Sequence, residues 1–259
     1  MAATDLFALN TVLATTIEVQ VVETLNRMRS IWDPDGEWKL FHFLRQAQTF
    51  PDVLLQRPTA GGGRDVVLGI ELKGWYLLSK EGVPSFRYMV TPAACSPRDL
   101  LAVVPWHLGN VMSGTPTVRV PGVWSALHAA SYRNHWWTHL RRARSSSAIA
   151  SPEDARPYSG RASTSDRPAS DQGRNFGRIA RIGIMKPWIR EQQVLPIAGI
   201  PTKNWIAFLR QHAEGGDLED VFRKLQRELE KAHSKGSDRR VRSTLDALRG
   251  LRQALPAAD

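Results

Sequence analysis

The chain has 259 residues, a formal net charge of +10 and a single cysteine, Cys95. That length buries a sizeable core as one large domain, or one domain with an appendage. The charge favours a polyanionic partner. The lone cysteine excludes an internal disulfide and any zinc site built on several thiolates, and no apolar run approaches the ~18 residues of a membrane span.

Taken in order, Leu9, Leu13, Ile17, Val21, Leu25 and Met28 fall three or four apart. They predict an amphipathic helix from Asn10 to Arg29, capped by Asn10 or Thr11. At ~100° per residue Glu18 lies at the edge of the buried stripe and Glu23 nearly opposite. Ile31 to Trp38 is turn-rich, and its acids lack the ligand ladder of a calcium loop. Leu40 to Gln48 reads as a short helix ending before Pro51, which biases Phe50 towards extended geometry.

Phe50 to Arg57 and Asp65 to Lys73 are rich in Val, Leu and Ile, and Pro58 to Gly63 between them is a turn signal, so the pair predicts a β-hairpin. Glu71 and Lys73 are two apart and therefore share one face of their strand. Asp52 enters at the start of the partner strand, where a short carboxylate reaches the same end of the sheet. Two acids and a lysine in an apolar hairpin are costly unless they pair or hold a metal. The plainer alternative is a cross-strand ion pair between Glu71 and Lys73 with no catalytic task.

Pro51-Asp52 and Glu71-Leu72-Lys73, with the two acids nineteen positions apart, resemble the PD-(D/E)xK nuclease superfamily, in particular its type II restriction endonucleases. The resemblance covers residues 10–145 in its order of elements and 51–73 in its motif. It implies an α/β (mixed α+β) fold: a restriction-endonuclease-like core with a central mixed β-sheet flanked by helices, plus a helical C-terminal part. It also implies Mg2+ as cofactor, with Asp52, Glu71 and the carbonyl of Leu72 as ligands and Asp52, Glu71 and Lys73 as catalytic residues. Some members carry a further acid on the first helix, and Glu18 is the candidate by position; a solvated helix glutamate is the alternative. Lys73 could orient the attacking water, stabilise hydroxide, or act as base if burial lowers its pKa.

Further along, Gly74 to Leu78 extends the second strand, Ser79 to Pro84 is a turn, and Ser85 to Val90 predicts another strand. Lys80 and Arg87 are candidates for phosphate contact. Leu100 to Trp106 reads as a buried strand, and Gly122 to Arg144 as a helix on which His135 and His139, four apart, could share a metal. No third ligand is apparent, and aromatic packing is the stronger reading. Residues 144–174 are rich in Ser, Ala, Pro, Gly and Arg and predict a long loop. From Arg133 to Arg190 there are twelve Lys or Arg and four Asp or Glu, with aromatics interleaved. A basic clamp on DNA is expected there, with Arg141, Arg142 and Arg144 as DNA-binding candidates. Asn175 to Ile184 predicts a strand. Thr202 to His212 predicts a helix that buries Trp205, Phe208 and Leu209, and two more apolar stripes follow over 218–229 and 241–255.

The expected organisation is a nuclease core over 1–145, a basic flexible loop over 146–174, and a mostly helical C-terminal part over 175–259. The expected function is Mg2+-dependent hydrolysis of double-stranded DNA by a type II site-specific restriction endonuclease. That enzyme would be a cytoplasmic homodimer without membrane attachment; the N-terminus has no basic segment ahead of an apolar one, so no secretory signal is expected. Alternatives are a DNA repair or mobile-element nuclease of the same fold, or a non-catalytic DNA-binding protein.

Overall fold

The chain is organised around one six-stranded sheet whose longest strands carry continuous buried runs. A computed structural model describes residues 3–79, 81–111, 113–141, 148–171 and 175–213, with isolated positions at 223, 226, 227, 230, 231 and 246. Helix α1 (Ala3–Arg27) and a single turn, α2 (Arg29–Trp32), lead into β1 (His42–Arg45), β2 (Val53–Pro58) and β3 (Arg64–Tyr76). β4 (Leu100–Leu108), β5 (Pro116–Val118) and β6 (Gly122–Ser125) complete six strands in the order β1-β2-β3-β4-β5, with β6 also on β4. β1, β2 and β3 form an antiparallel meander. β4 runs parallel to β3: Gly69 N–H reaches the Asp99 side chain just before β4, and Leu77 N–H reaches the Trp106 carbonyl near its end. The molecule is thus a mixed α/β protein with a central mixed sheet flanked by helices.

Helix α1 starts well before Asn10, so neither Asn10 nor Thr11 caps it. Its Val21, Val22 and Leu25 pack on a cluster of Phe41, Phe43, Val53, Leu55, Ile70, Leu72 and Ala102. Near its C-terminal end, Asn26 donates to the Phe43 carbonyl at 2.8 Å and accepts from the Phe43 N–H at 2.9 Å, fastening helix to sheet. That contact accounts for the main departure from sequence expectation in this part. Leu40 to Gln48 is not a helix; it contains β1, because Phe41 and Phe43 both turn inward while His42 and Leu44 stay exposed, a period of two.

Ser85 to Val90 is no sheet strand either. It makes only isolated bridges, Arg87 with Arg178 and Val90 with Ser165. The Arg133 guanidinium takes the carbonyls of Tyr88 and Val90 at 2.8 and 2.9 Å, using acceptors that a ladder would need. Gly122 to Arg144 divides: β6 pairs with the first half of β4, and Ser125 then caps α3 (Ala126–His135) by accepting from the His128 N–H. A π-helical turn, Trp136–Leu140, continues it. Asn175 to Ile184 holds a short helix, α4 (Ile179–Ile182), ended by Gly183 at φ +89°, where a strand was expected.

The chain divides into two compact units. One comprises Met1–Trp75, Ser85–Pro105 and Arg119–Met185; the other comprises Tyr76–Pro84, Trp106–Val118 and Lys186–Asp259. In the second, α5 (Lys186–Val194), a small hairpin of β9 (Pro196–Ile197) and β10 (Ile200–Pro201), and α6 (Thr202–Ala213) follow one another; the first unit holds the two-residue strands β7 (Ile149–Ala150) and β8 (Arg167–Pro168). On α6 it is Ile206 that is buried, while Trp205, Phe208 and Leu209 are only half-buried. The expected apolar stripes over 218–229 and 241–255 lie almost wholly outside the described residues. No described helix is long and apolar enough to cross a membrane.

Two local constraints generate predictions. Gly69 lies beneath Pro51: a Cβ there would stand 2.3 Å from Pro51 Cγ, in a ring that cannot rotate away. Gly69→Ala should therefore lower unfolding free energy by roughly 1–3 kcal/mol in urea titration. Asp166, fully buried, pairs with buried Arg133 and accepts from Asn134 at 3.1 Å and Ser151 at 2.6 Å. Asp166→Ala strands the guanidinium and should cost about 3–5 kcal/mol in the same measurement.

Candidate active site

The β2–β3 register sets the site. Val53 opposes Ile70 in an antiparallel ladder, so one step outward Asp52 opposes Glu71. Val53, Leu55, Ile70 and Leu72 face the α1 side, and alternation sends Asp52, Glu71 and Lys73 to the other face. Pro51 resting on Gly69 fixes the approach to Asp52.

Lys73 Nζ donates to Glu71 Oε1 at 2.6 Å, and the Leu72 N–H donates to Asp52 Oδ2 at 2.7 Å. Glu71 is buried, and its second oxygen, Oε2, has no hydrogen-bond partner among the described residues. Burial first, and the facing Glu71 second, push the Asp52 carboxyl up to about 7; Lys73 and the Leu72 N–H pull the other way. Burial works to lower the Lys73 pKa, but Glu71 and Asp52 outweigh it and raise it above the ordinary lysine value. Lys73 therefore stands as an ammonium at neutral pH, which favours a positioning or charge-stabilising role over that of a base.

Two opposed carboxylates with one oxygen lacking a donor suit a small hard cation. Magnesium commonly takes one or two carboxylates together with waters and substrate phosphate, with no full protein cage. No group of three or more His, Cys, Asp or Glu able to hold a metal occurs among the described residues. Asp52, Glu71 and the Leu72 carbonyl are the groups that would hold it. Glu18 is a less direct candidate. It pairs with Arg45 at 2.6 Å and reaches Asp52 and Lys73 only through its charge. His135 and His139 stand as neighbouring rings, 5.1 Å between centroids, in a row with Tyr132.

Asp52 and Glu71 line a cleft of about 590 Å³. Of the expected DNA contacts, Arg87 lines it as well. Arg141 instead lies over the buried Trp137 ring, 3.2 Å from its centroid. Lys80, Arg142 and Arg144 lie outside the described residues. Sequence reading missed Arg161 and Arg167, which line the same cleft with Gln48 and Thr49. They come from the segment read as a loop, and contacts such as the bridge from Val90 to Ser165 and the Arg161–Gln48 bond reveal that it runs beside the acids. Spacing along the chain carries no signal for that.

The raised Asp52 pKa has a measurable consequence. Between about pH 4 and pH 7 the folded protein holds a proton on Asp52 that the unfolded chain has released, so the contribution of this group to stability is fully present below that window and is lost as pH rises through it. In metal-free buffer, unfolding free energy should drop by roughly 2–4 kcal/mol across the window. Asp52→Asn should flatten the profile and be the more stable protein at pH 8.

Comparison with known proteins assigns no family: no family model, curated protein or solved structure matches the chain.

Proposed function

We propose that the protein is a metal-dependent endonuclease of the PD-(D/E)xK type that hydrolyses double-stranded DNA, as a type II restriction endonuclease does. One observation carries the reading: Asp52, just beyond the Val53–Ile70 pair that ends the ladder, comes close enough to Glu71 to feel its charge, and Lys73 is bonded to Glu71 on the same sheet face. Like charges opposite one another across a ladder are destabilising, more so when half-buried, and an arrangement that costs stability points to function. The order of long helix, hairpin, parallel strand β4 and helix α3 supports a restriction-endonuclease-like core.

A divalent cation held by Asp52, Glu71 and the Leu72 carbonyl would offset charge at phosphorus and lower the pKa of the attacking water. Lys73 contributes a fixed ammonium beside that position. It donates towards the water oxygen and opposes the negative charge that grows on the phosphoryl oxygens. The Leu72 N–H holds the Asp52 carboxylate in its orientation through the bond to Oδ2. Burial around Glu71 and Lys73 keeps bulk water from screening these charges.

Digestion of a mapped plasmid tests the reading. Purified protein with Mg2+ should give discrete fragments, and chelator should stop the reaction. Asp52→Ala should abolish cleavage, and Lys73→Ala should lower its rate by orders of magnitude while DNA binding in Ca2+ persists. Lys73→Arg should keep appreciable activity, since arginine retains the charge but does not readily release a proton. Full activity in excess chelator, or near-normal cleavage by Lys73→Ala, overturns the assignment.

A further inference from the structure

We infer that Thr49, Arg87, Arg161 and Arg167 form a phosphate-binding subsite beside the carboxylate pair, which takes the nucleic-acid backbone next to the phosphate being cut. The choice of a nucleic-acid ligand rests on the nuclease reading; the subsite itself rests on what lines the cleft. Two acids and three arginines share one cavity of about 590 Å³. Arg87, Arg161 and Arg167 are all exposed there. A cleft built only to hold a cation has no use for three guanidinium groups, which raise the cost of bringing a cation in.

Two buried atoms in this lining lack partners among the described residues, and their chemistry is opposite. Glu71 Oε2 is an acceptor with no donor, and Thr49 Oγ1 is a hydroxyl with no partner. An acceptor suits a cation and a hydroxyl donor suits a phosphoryl oxygen, so together they fit a cation and a phosphate side by side.

The arginines are also held in place. Arg161 Nη1 donates to Gln48 Oε1 at 3.2 Å, linking the segment to the turn that carries Thr49. Thr164 Oγ1 donates to the Arg161 carbonyl at 3.0 Å, and the Thr164 carbonyl accepts from the Thr91 N–H at 2.9 Å. The Asp166 N–H donates to the Met89 carbonyl at 2.8 Å, while its side chain sits in the buried network with Arg133. Residues 161–167 are thereby fastened alongside 87–91. Arg161 and Arg167 flank the fastened stretch, and Arg87 faces the cleft from its neighbour. Guanidinium forks at several points suit a chain of phosphates better than a single small anion.

The test is metal-free binding, measured by fluorescence anisotropy of a short labelled DNA duplex in EDTA over a series of salt concentrations. Arg161→Ala/Arg167→Ala should weaken binding at least tenfold and reduce the slope of log affinity against log salt by about 2, one unit for each phosphate that the variant no longer neutralises. Arg64→Ala, an exposed arginine outside the cleft that removes a charge from the same sheet, should leave both unchanged. Thr49→Val should weaken binding a few-fold without changing the slope, because it removes a donor and no charge. Circular dichroism checks that each variant folds, and Arg161→Lys/Arg167→Lys, which keeps the charge, should restore the slope. Unchanged affinity and slope in the double alanine variant overturn the subsite, as does an equal weakening in Arg64→Ala, which would mean that net charge alone binds DNA. A protein that binds through these arginines and never cuts with Mg2+ keeps the subsite and loses the nuclease; one that cuts with undiminished affinity in the double variant does the reverse.

Discussion

The pairing of Val53 with Ile70 is the constraint on which the rest depends. It divides β2 and β3 into two faces. Val53, Leu55, Ile70 and Leu72 go to the α1 side, where they form the core with Phe41 and Phe43. Asp52, Glu71 and Lys73 go to the other. A slip by one residue would carry the carboxylates into the α1 core and the apolar set into the cleft, so the hydrophobic driving force that fixes the register also fixes the charged cluster. Pro51 against Gly69 gives that register a steric stop at the end where Asp52 sits. The apolar core and the charged cluster therefore share one ladder, on its two opposite faces.

The buried acids of this protein differ in how they are satisfied, and the difference sets Glu71 apart from Asp99 and Asp166. Asp99 accepts from the Gly69 and Ser96 N–H groups, both at 2.7 Å, and from the Tyr158 hydroxyl at 2.8 Å. Asp166 accepts from Arg133, Asn134 and Ser151. Both are surrounded by donors and join segments distant in sequence, as internal struts do. Glu71 has one lysine on one oxygen and no donor on the other, and it faces a second carboxylate. A fold selected for stability alone would fill that position with an apolar residue or a full set of donors. Glu71 is therefore a local breach of the rules that Asp99 and Asp166 obey, which is the ground on which it is singled out as a candidate.

The hairpin was legible in the sequence because its signals are local. Val, Leu and Ile content gave the strands, the glycine run gave the turn, and a period of two put Glu71 and Lys73 on one face. β4 was legible as a continuous apolar run. The misread elements depend on contacts with distant residues. Phe41 to Leu44 fits a helical or a strand period equally, and the Asn26 amide on the Phe43 backbone settles it. Tyr88 to Val90 has strand composition, but a guanidinium forty-odd positions away takes its carbonyls. The candidate site follows the same rule: Asp52, Glu71 and Lys73 lie within one hairpin and their proximity could be read from spacing, whereas Arg161 reaches the cleft from over a hundred positions beyond Gln48, its hydrogen-bond partner.

The positive charge between Arg133 and Arg190 looked uniform in sequence, yet its members do different work. Arg133 is buried and ties α3 to the Tyr88–Val90 segment and to Asp166. Arg141 lies over Trp137. Arg161 and Arg167 are exposed at the cleft. A net charge predicts long-range attraction for a polyanion and nothing about where contact occurs. Position follows from what the core takes in, and here the core takes in Arg133. With residues 161–167 fastened beside 87–91 by backbone bonds and by the buried Arg133–Asp166 pair, Arg161 and Arg167 are left outside at the cleft that Asp52 and Glu71 line.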